Sequence, residues 1–269
     1  MGDAPVGVFD SGVGGLTVLR ALTNELPHEH FLYLGDTARL PYGTKSADTV
    51  IRYARSATDA LARFGVKCIV IACNTASAAA LHEIRDHTRG VPVIGVIEPG
   101  AAAACAASAS GHIAVIATES TVQGGAYQHA IHRIRPDAQV ISRAAQLFVA
   151  LAEEGLCEGE ITERVARHYL GPLLQESVAD TLVLGCTHFP MLIDAIRTAA
   201  GDKVRIVDSA ETTAHAVRDV LDARRLKRVD VDGGSTRFLA TDSPERFARV
   251  GSRFLGRTLQ PTDIELIDL

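Results

Sequence analysis

The chain has 269 residues, with 27 Lys and Arg against 32 Asp and Glu, a formal net charge of −5 and a sequence pI near 6.1. That balance, with no Trp and aromatics at only 5%, excludes a dedicated nucleic-acid surface built from basic clusters and stacking rings. Its most apolar low-complexity stretch, GAAAACAASASG at 100–111, is too short to span a bilayer. The opening MGDAPVGVFDSGVGG has no basic region before an apolar one, so no secretory signal is expected and the chain is placed in the cytoplasm. Five cysteines, an odd number in such a chain, read as reduced thiols rather than a disulfide framework.

From the N-terminus, PVGVFD at 5–10 reads as a strand, SGVGG as a turn, and LTVLRALTNELP as a helix ended by Pro27. HFLYLGD at 30–36 is the second strand, followed by the loop TARLPYGTKS and a helix from about Asp48 to Phe64. KCIVIAC and its following helix form a third cycle. VPVIGVIEP, Val91 to Pro99, reads as a fourth strand, and the alanine-rich stretch after it as a closely packed helix. The cycle restarts with GHIAVIATEST at 111–121, continues through the strand QVISR, LFVALAEEG as a helix or turn and ITERVARHYLGPLLQE as a longer helix, and reaches a second cysteine strand. KVRIVDSAETTAHAVRDVL at 203–221 is a further strand and helix, and TRFLATD with TDIELIDL closes the first lobe. Such alternation predicts an α/β fold of parallel sheets flanked by helices, with ligands at the carboxyl ends of the strands. The expected organisation is two similar, pseudo-twofold related lobes with the site between them: 1–97 plus 208–269, and 98–207.

Two lobes are expected because two runs share one plan. VKCIVIACNTASAAALHEIR at 66–85 and VADTLVLGCTHFPMLIDAIR at 178–197 each carry an apolar strand, a cysteine, a nearby threonine and an amphipathic segment. Cys73 and Cys186 thus fall where a strand ends and a helix begins. Free backbone N–H groups and the helix dipole there favour an anion, so both thiols are expected to ionise more readily than core thiols. Cys68, Cys105 and Cys157 read as small hydrophobes. Asn74, Thr75 and Ser77 beside one thiol, and Thr187 and His188 beside the other, serve as helix caps or as holders of a carboxylate and an ammonium. Asp10 and Ser11 precede Gly12, Gly14 and Gly15, but Thr17 stands where a dinucleotide motif needs its third glycine, which argues against a phosphate cradle. An aspartate at a strand end can orient an ammonium group or assist a base, and His188 can move a proton. No metal-ligand spacing occurs, and none of Lys45, Lys67, Lys203 and Lys227 has the setting of a Schiff-base lysine, so no cofactor is expected.

Taken together, VFDSGVGGLTV, DTARLPYG, ACNTASA, GVIEPG and LGCTHFP, in this order and over nearly the whole chain, resemble the glutamate racemases of the aspartate/glutamate racemase superfamily. The resemblance implies interconversion of L- and D-glutamate without cofactor or metal, D-glutamate supply for peptidoglycan, and a homodimer. It gives Cys73 and Cys186 the two acid/base roles, Cys73 acting on D-glutamate and Cys186 on L-glutamate, with Asp10 and His188 assisting. Ser11, Tyr42, Gly43, Asn74, Thr75 and Thr187 match substrate-binding positions, Pro41 shapes their loop, Thr118 joins from the second lobe, and Glu153 aligns with a carboxylate near the second thiol. Phe189 stands where these enzymes usually carry Tyr. Two alternatives remain open: a sister racemase acting on aspartate, and a two-lobed binding protein that would need neither thiol.

Overall fold

The computed structural model describes residues 2–88, 90–230 and 232–269. Six parallel strands form the first sheet: β1 (Val6–Asp10), β2 (Phe31–Gly35), β3 (Cys68–Ile71), β4 (Val93–Gly95) and, after the second sheet in the chain, β9 (Thr236–Ala240) and β10 (Ile264–Leu266). Their order is β10-β9-β2-β1-β3-β4. The second sheet holds β5 (His112–Ala117), β6 (Gln139–Ala144), β7 (Thr181–Gly185) and β8 (Arg205–Asp208), also all parallel, in the order β6-β5-β7-β8. The strands read as apolar runs because helices cover both faces, leaving no polar side for alternation.

Those helices are α1 (Leu16–Glu25), α2 (Ala47–Arg63), α3 (Asn74–His87) and α4 (Ile97–Ala107), then α5 (Glu119–Gln123), α6 (Ala126–Ile134), α7 (Leu147–Glu154), α8 (Glu160–Ser177) and α9 (Ile193–Ala200), and finally α10 (Ser209–Ala223) and α11 (Pro244–Leu255). No helix of the described residues is long and apolar enough to cross a membrane. After β8 the chain leaves the second sheet through α10, which packs on both α1 and α4. One apolar cluster consequently runs from Val6, Val8 and Leu19 of the first sheet's layer to Val115, Leu184 and Phe189 of the second. A smaller one, with Ile69, Ile71, Val50 and Leu61, fills the space under α2 and α3.

Two elements differ from expectation. The predicted strand Val91–Pro99 shrinks to Val93–Gly95, and Ile97, Glu98 and Pro99 open α4; proline is tolerated in a first helical turn, where its missing N–H has no partner to lose. Beyond Cys186 no α-helix starts at once. A 3₁₀ turn, Phe189–Leu192 with Pro190 near its start, intervenes before α9. Only Cys73 meets the expected strand-to-α-helix junction.

A buried ion pair ties the edge of this framework. Lys67, just before β3, reaches Glu29 and the Gly2 carbonyl, and the other Glu29 oxygen accepts the Arg228 N–H at 2.8 Å. Both side chains are almost wholly buried, so removing the ammonium strands a carboxylate away from water. Lys67→Met is expected to lower the unfolding free energy in urea by about 3–5 kcal/mol, with Glu29→Gln in the same chain recovering part of the loss. A loss under about 1 kcal/mol, typical of an exposed pair, would show that water reaches Glu29.

Candidate active site

Topology places the chemistry. In the first sheet the chain steps from β1 outward to β2 and then returns past β1 to β3, so the β1/β3 boundary is a switch point with an open crevice at the strand ends. Asp10 ends β1, and Cys73 follows β3 as the N-cap of α3. The second sheet repeats this with β5 and β7: Thr118 follows β5, and Cys186 follows β7. Each sheet therefore brings one cysteine to its own switch point, and the two crevices open on one cavity.

On the first sheet's side the Cys73 thiol donates to Ser11 Oγ at 3.7 Å, and its sulfur accepts the Ala76 N–H at 3.4 Å. The Asn74 Oδ1 accepts from the buried Tyr127 hydroxyl at 2.7 Å, while its Nδ2 has no partner among the described residues. Thr75 meets Thr118 at 2.9 Å and Thr121 at 3.3 Å, a hydroxyl cluster joining α3 to the second sheet. In the loop after β2, the Tyr42 hydroxyl donates to Asp36 at 2.6 Å, and Asp36 also accepts from Thr241 at 2.9 Å. A Cβ on Gly43 would lie 2.8 Å from the Thr118 Cβ, so that glycine is the condition for the loop to touch the second lobe's strand end.

The opposite wall is a chain of polar contacts. Cys186 Sγ lies 3.8 Å from His188 Nδ1, and His188 Nε2 lies 3.2 Å from Glu153 Oε1 at the end of α7. Arg246 of α11 holds the second carboxylate oxygen at 2.8 Å. The Thr187 carbonyl accepts from Thr17 at 3.1 Å, across the two lobes. Ser11, Pro41, Tyr42, Gly43, Cys73, Asn74, Thr75, Thr118, Glu153, Cys186, Thr187 and His188 all line the cavity. Asp10 does not. Its carboxylate is buried behind the β1–α1 turn, with one oxygen accepting the Gly12 N–H at 3.0 Å and the other without a hydrogen-bond partner among the described residues.

Gln146 and Val149 also line the cavity, and the sequence reading passed over both. The signal was available: Gln146 lies at the carboxyl end of β6, where parallel sheets gather ligands.

Electrostatics reverse one expectation. The Cys73 thiol is pushed up to about 12, first by burial and then by the nearby Asp10 charge, against the weaker help of the Ala76 N–H and Ser11. A helix N-terminus gives the sulfur an N–H, but desolvation of a thiolate costs more. Burial likewise raises the Asp10 carboxyl, opposed by His188 and by backbone N–H groups of the glycine turn. For His188, burial works against protonation, yet Cys186, Glu153 and Asp10 outweigh it and hold the imidazole up to about 10. Burial also acts against the Glu153 charge, and His188 with Arg246 overcome it, holding that carboxyl below its usual range. No group of three or more His, Cys, Asp or Glu among the described residues is placed to hold a metal ion. The arrangement can therefore present a thiol from one lobe and a sulfur backed by an imidazolium from the other to a small polar molecule.

Known proteins resemble this chain over nearly its whole length. Across 254 residues the chain is 49% identical to a glutamate racemase of Geobacter metallireducens, covering 94% of this chain and 93% of that protein. It is 48% identical over 265 residues to a glutamate racemase of Neisseria meningitidis serogroup A, covering 98% and 97%. The solved glutamate racemase of Francisella tularensis in complex with D-glutamate superposes with a TM-score of 0.92 at 35% identity, covering 100% of this chain and 98% of that one. Residues 12–217 match the profile of the Asp/Glu/Hydantoin racemases, and the chain belongs to that family.

Proposed function

We propose that this chain interconverts L-glutamate and D-glutamate by a two-thiol mechanism without a cofactor, and so supplies D-glutamate for peptidoglycan. The observation that carries the mechanism is the meeting of two cysteines, one from each sheet's switch point, at a single cavity. Inverting a carbon by moving its proton needs a base on one face and an acid on the other, and one group cannot serve both without crossing the substrate plane.

Cys186 takes the α-proton of L-glutamate while Cys73 delivers one to the opposite face, and the roles exchange in reverse. The His188 imidazolium provides the counter-charge for a Cys186 thiolate. Cys73 rests as a thiol, and in the D-to-L direction the substrate ammonium supplies the positive charge that its thiolate needs. Ser11, Asn74, Thr75, Thr118 and Thr187 hold the substrate's charged ends; the free Asn74 Nδ2 donates to a carboxylate. Tyr42, Gly43 and Pro41 form the wall beside them. Asp10, set behind Ser11, acts on Cys73 and the ammonium through charge rather than contact. The two lobes, 1–97 with 208–269 and 98–207, close around the substrate and exclude water from the carbanion-like transition state. The chain works in the cytoplasm, as a homodimer.

In deuterated water, L-glutamate converted by this chain is expected to leave as D-glutamate almost fully deuterated at the α-carbon, while unreacted L-glutamate stays protiated at early times. Chiral separation with mass detection reads both. Protium retained in first-formed product would show a single base. Cys73→Ala and Cys186→Ala are expected to abolish racemisation with the fold intact, and His188→Asn to lower turnover on the order of 10²–10⁴-fold. Because the enantiomers are equal in energy, kcat/KM must fall equally in both directions; asymmetry appears only in kcat and KM separately.

Stability follows the same protons. His188 is raised above its unfolded value near 6.5 to about 10 in the folded chain, so between those pH values the native state holds a proton that the unfolded state has released. Its contribution is fully present below the unfolded value and is lost as pH rises through about 10. His188→Asn is expected to flatten the fall of Tm between pH 7 and 10, measured by thermal unfolding. An unchanged slope would mean that His188 is not protonated in the folded chain.

A further inference from the structure

We propose that Arg246 is a positioning residue for proton transfer at Cys186, acting from the first lobe through Glu153 and His188. The proposal rests on the racemase reading above. Arg246 lies on α11, which packs on α1 and β10 of the first sheet's layer, whereas Glu153 lies in the last turn of α7, beside the turn that follows Cys186. The guanidinium donates to Glu153 Oε2 at 2.8 Å, Glu153 Oε1 faces His188 Nε2 at 3.2 Å, and His188 Nδ1 faces Cys186 Sγ at 3.8 Å.

Two further contacts come from the same helix. Arg253 donates to the Glu153 carbonyl, and the Phe254 ring stands edge-on to the His188 imidazole with centroids 5.1 Å apart at 74°. One helix of the first lobe thus grips both the imidazole that faces the second lobe's thiol and the carboxylate that orients it.

A carboxylate bonded through one oxygen can still swing; with both oxygens engaged it fixes the direction of the imidazole N–H. Arg246 does not line the cavity, so it is not a substrate ligand. Its side chain is 44% exposed, and an ion pair of that exposure contributes little to folding. What remains is orientation. Among the described residues Cys73 has no matching assembly, its sulfur bonding to Ser11 and the Ala76 N–H, so the effect of Arg246 falls on one thiol alone.

The test is initial-rate kinetics of the full chain and its Arg246→Met and Arg246→Lys variants, with α-protiated and α-deuterated L- and D-glutamate. Arg246→Met is expected to lower kcat/KM roughly tenfold, by an equal factor in both directions. The isotope effects say which thiol is impaired. Deuterium on L-glutamate reports abstraction by Cys186, and deuterium on D-glutamate reports abstraction by Cys73.

If transfer at Cys186 becomes the slower step, the isotope effect on kcat/KM rises for L-glutamate and falls for D-glutamate, and Arg246→Lys returns both toward the parent values. Arg246→Gln gives the same readout should the methionine side chain disturb α11. Isotope effects that stay unchanged, or that move together, would overturn the positioning role while leaving the racemase reading intact. A parent chain that leaves both enantiomers unchanged would overturn the racemase reading, and this proposal with it.

Discussion

A single carbon added to Gly14 would lie 2.4 Å from both His188 Cε1 and Thr187 Oγ1, closer than any side chain tolerates. The first lobe's β1–α1 turn therefore presses bare backbone against the second lobe's cysteine turn, and Thr17 seals the contact with a hydrogen bond to the Thr187 carbonyl. Gly43 against Thr118 makes a second such approach from the loop after β2. These two contacts hold the carboxyl ends of the two parallel sheets face to face. With that orientation the two switch points share a cavity, which Cys73 and Cys186 line from different lobes.

The shared plan of the lobes does not extend to their protons. Cys73 caps a fourteen-residue helix, but its sulfur is buried beside a buried carboxylate, and desolvation dominates. Cys186 has a 3₁₀ turn in place of a long helix, and it has an imidazole held protonated by Glu153 and by the sulfur itself. On the racemase reading, the first site waits for the substrate's ammonium and the second carries its own cation.

Much of this was legible in the sequence. The apolar runs at 5–10, 30–36, 68–72 and 181–185 place their strands closely, because helices on both faces leave few polar interruptions. The repeat around Cys73 and Cys186 locates both sulfurs. What was not legible depended on contacts between distant segments. SGVGG looked like a flexible turn next to an incomplete phosphate motif, whereas Gly14 serves close packing against His188. The expected ease of Cys73 ionisation came from local helix geometry and missed burial. Arg246 lies in a charged stretch of α11 with no periodic or motif signal, and only the fold shows that it reaches Glu153. Pro190, two residues beyond His188, was the available sign that the two cysteine turns would diverge.

That divergence has a kinetic consequence. On the proposed two-thiol mechanism, inversion of L-glutamate leaves a Cys73 thiolate and a Cys186 thiol, the form that burial of Cys73 makes costly. This form must pass its proton back through solvent or take up D-glutamate. Since the enantiomers have equal free energy, the two directions must keep the same kcat/KM whatever the populations of the two protonation forms. The scarce form is therefore the more reactive one, and by the same margin that makes it scarce. Burial of Cys73 does not tilt the reaction toward one enantiomer; it moves cost from the bound complex to the free enzyme, where a buried thiolate has no ammonium beside it. A site with an imidazole on each side would share that cost evenly but would place two cations against the substrate's own ammonium. One cation supplied by the protein and one by the substrate avoids that repulsion, and the unequal turns after the two cysteines are the structural form it takes.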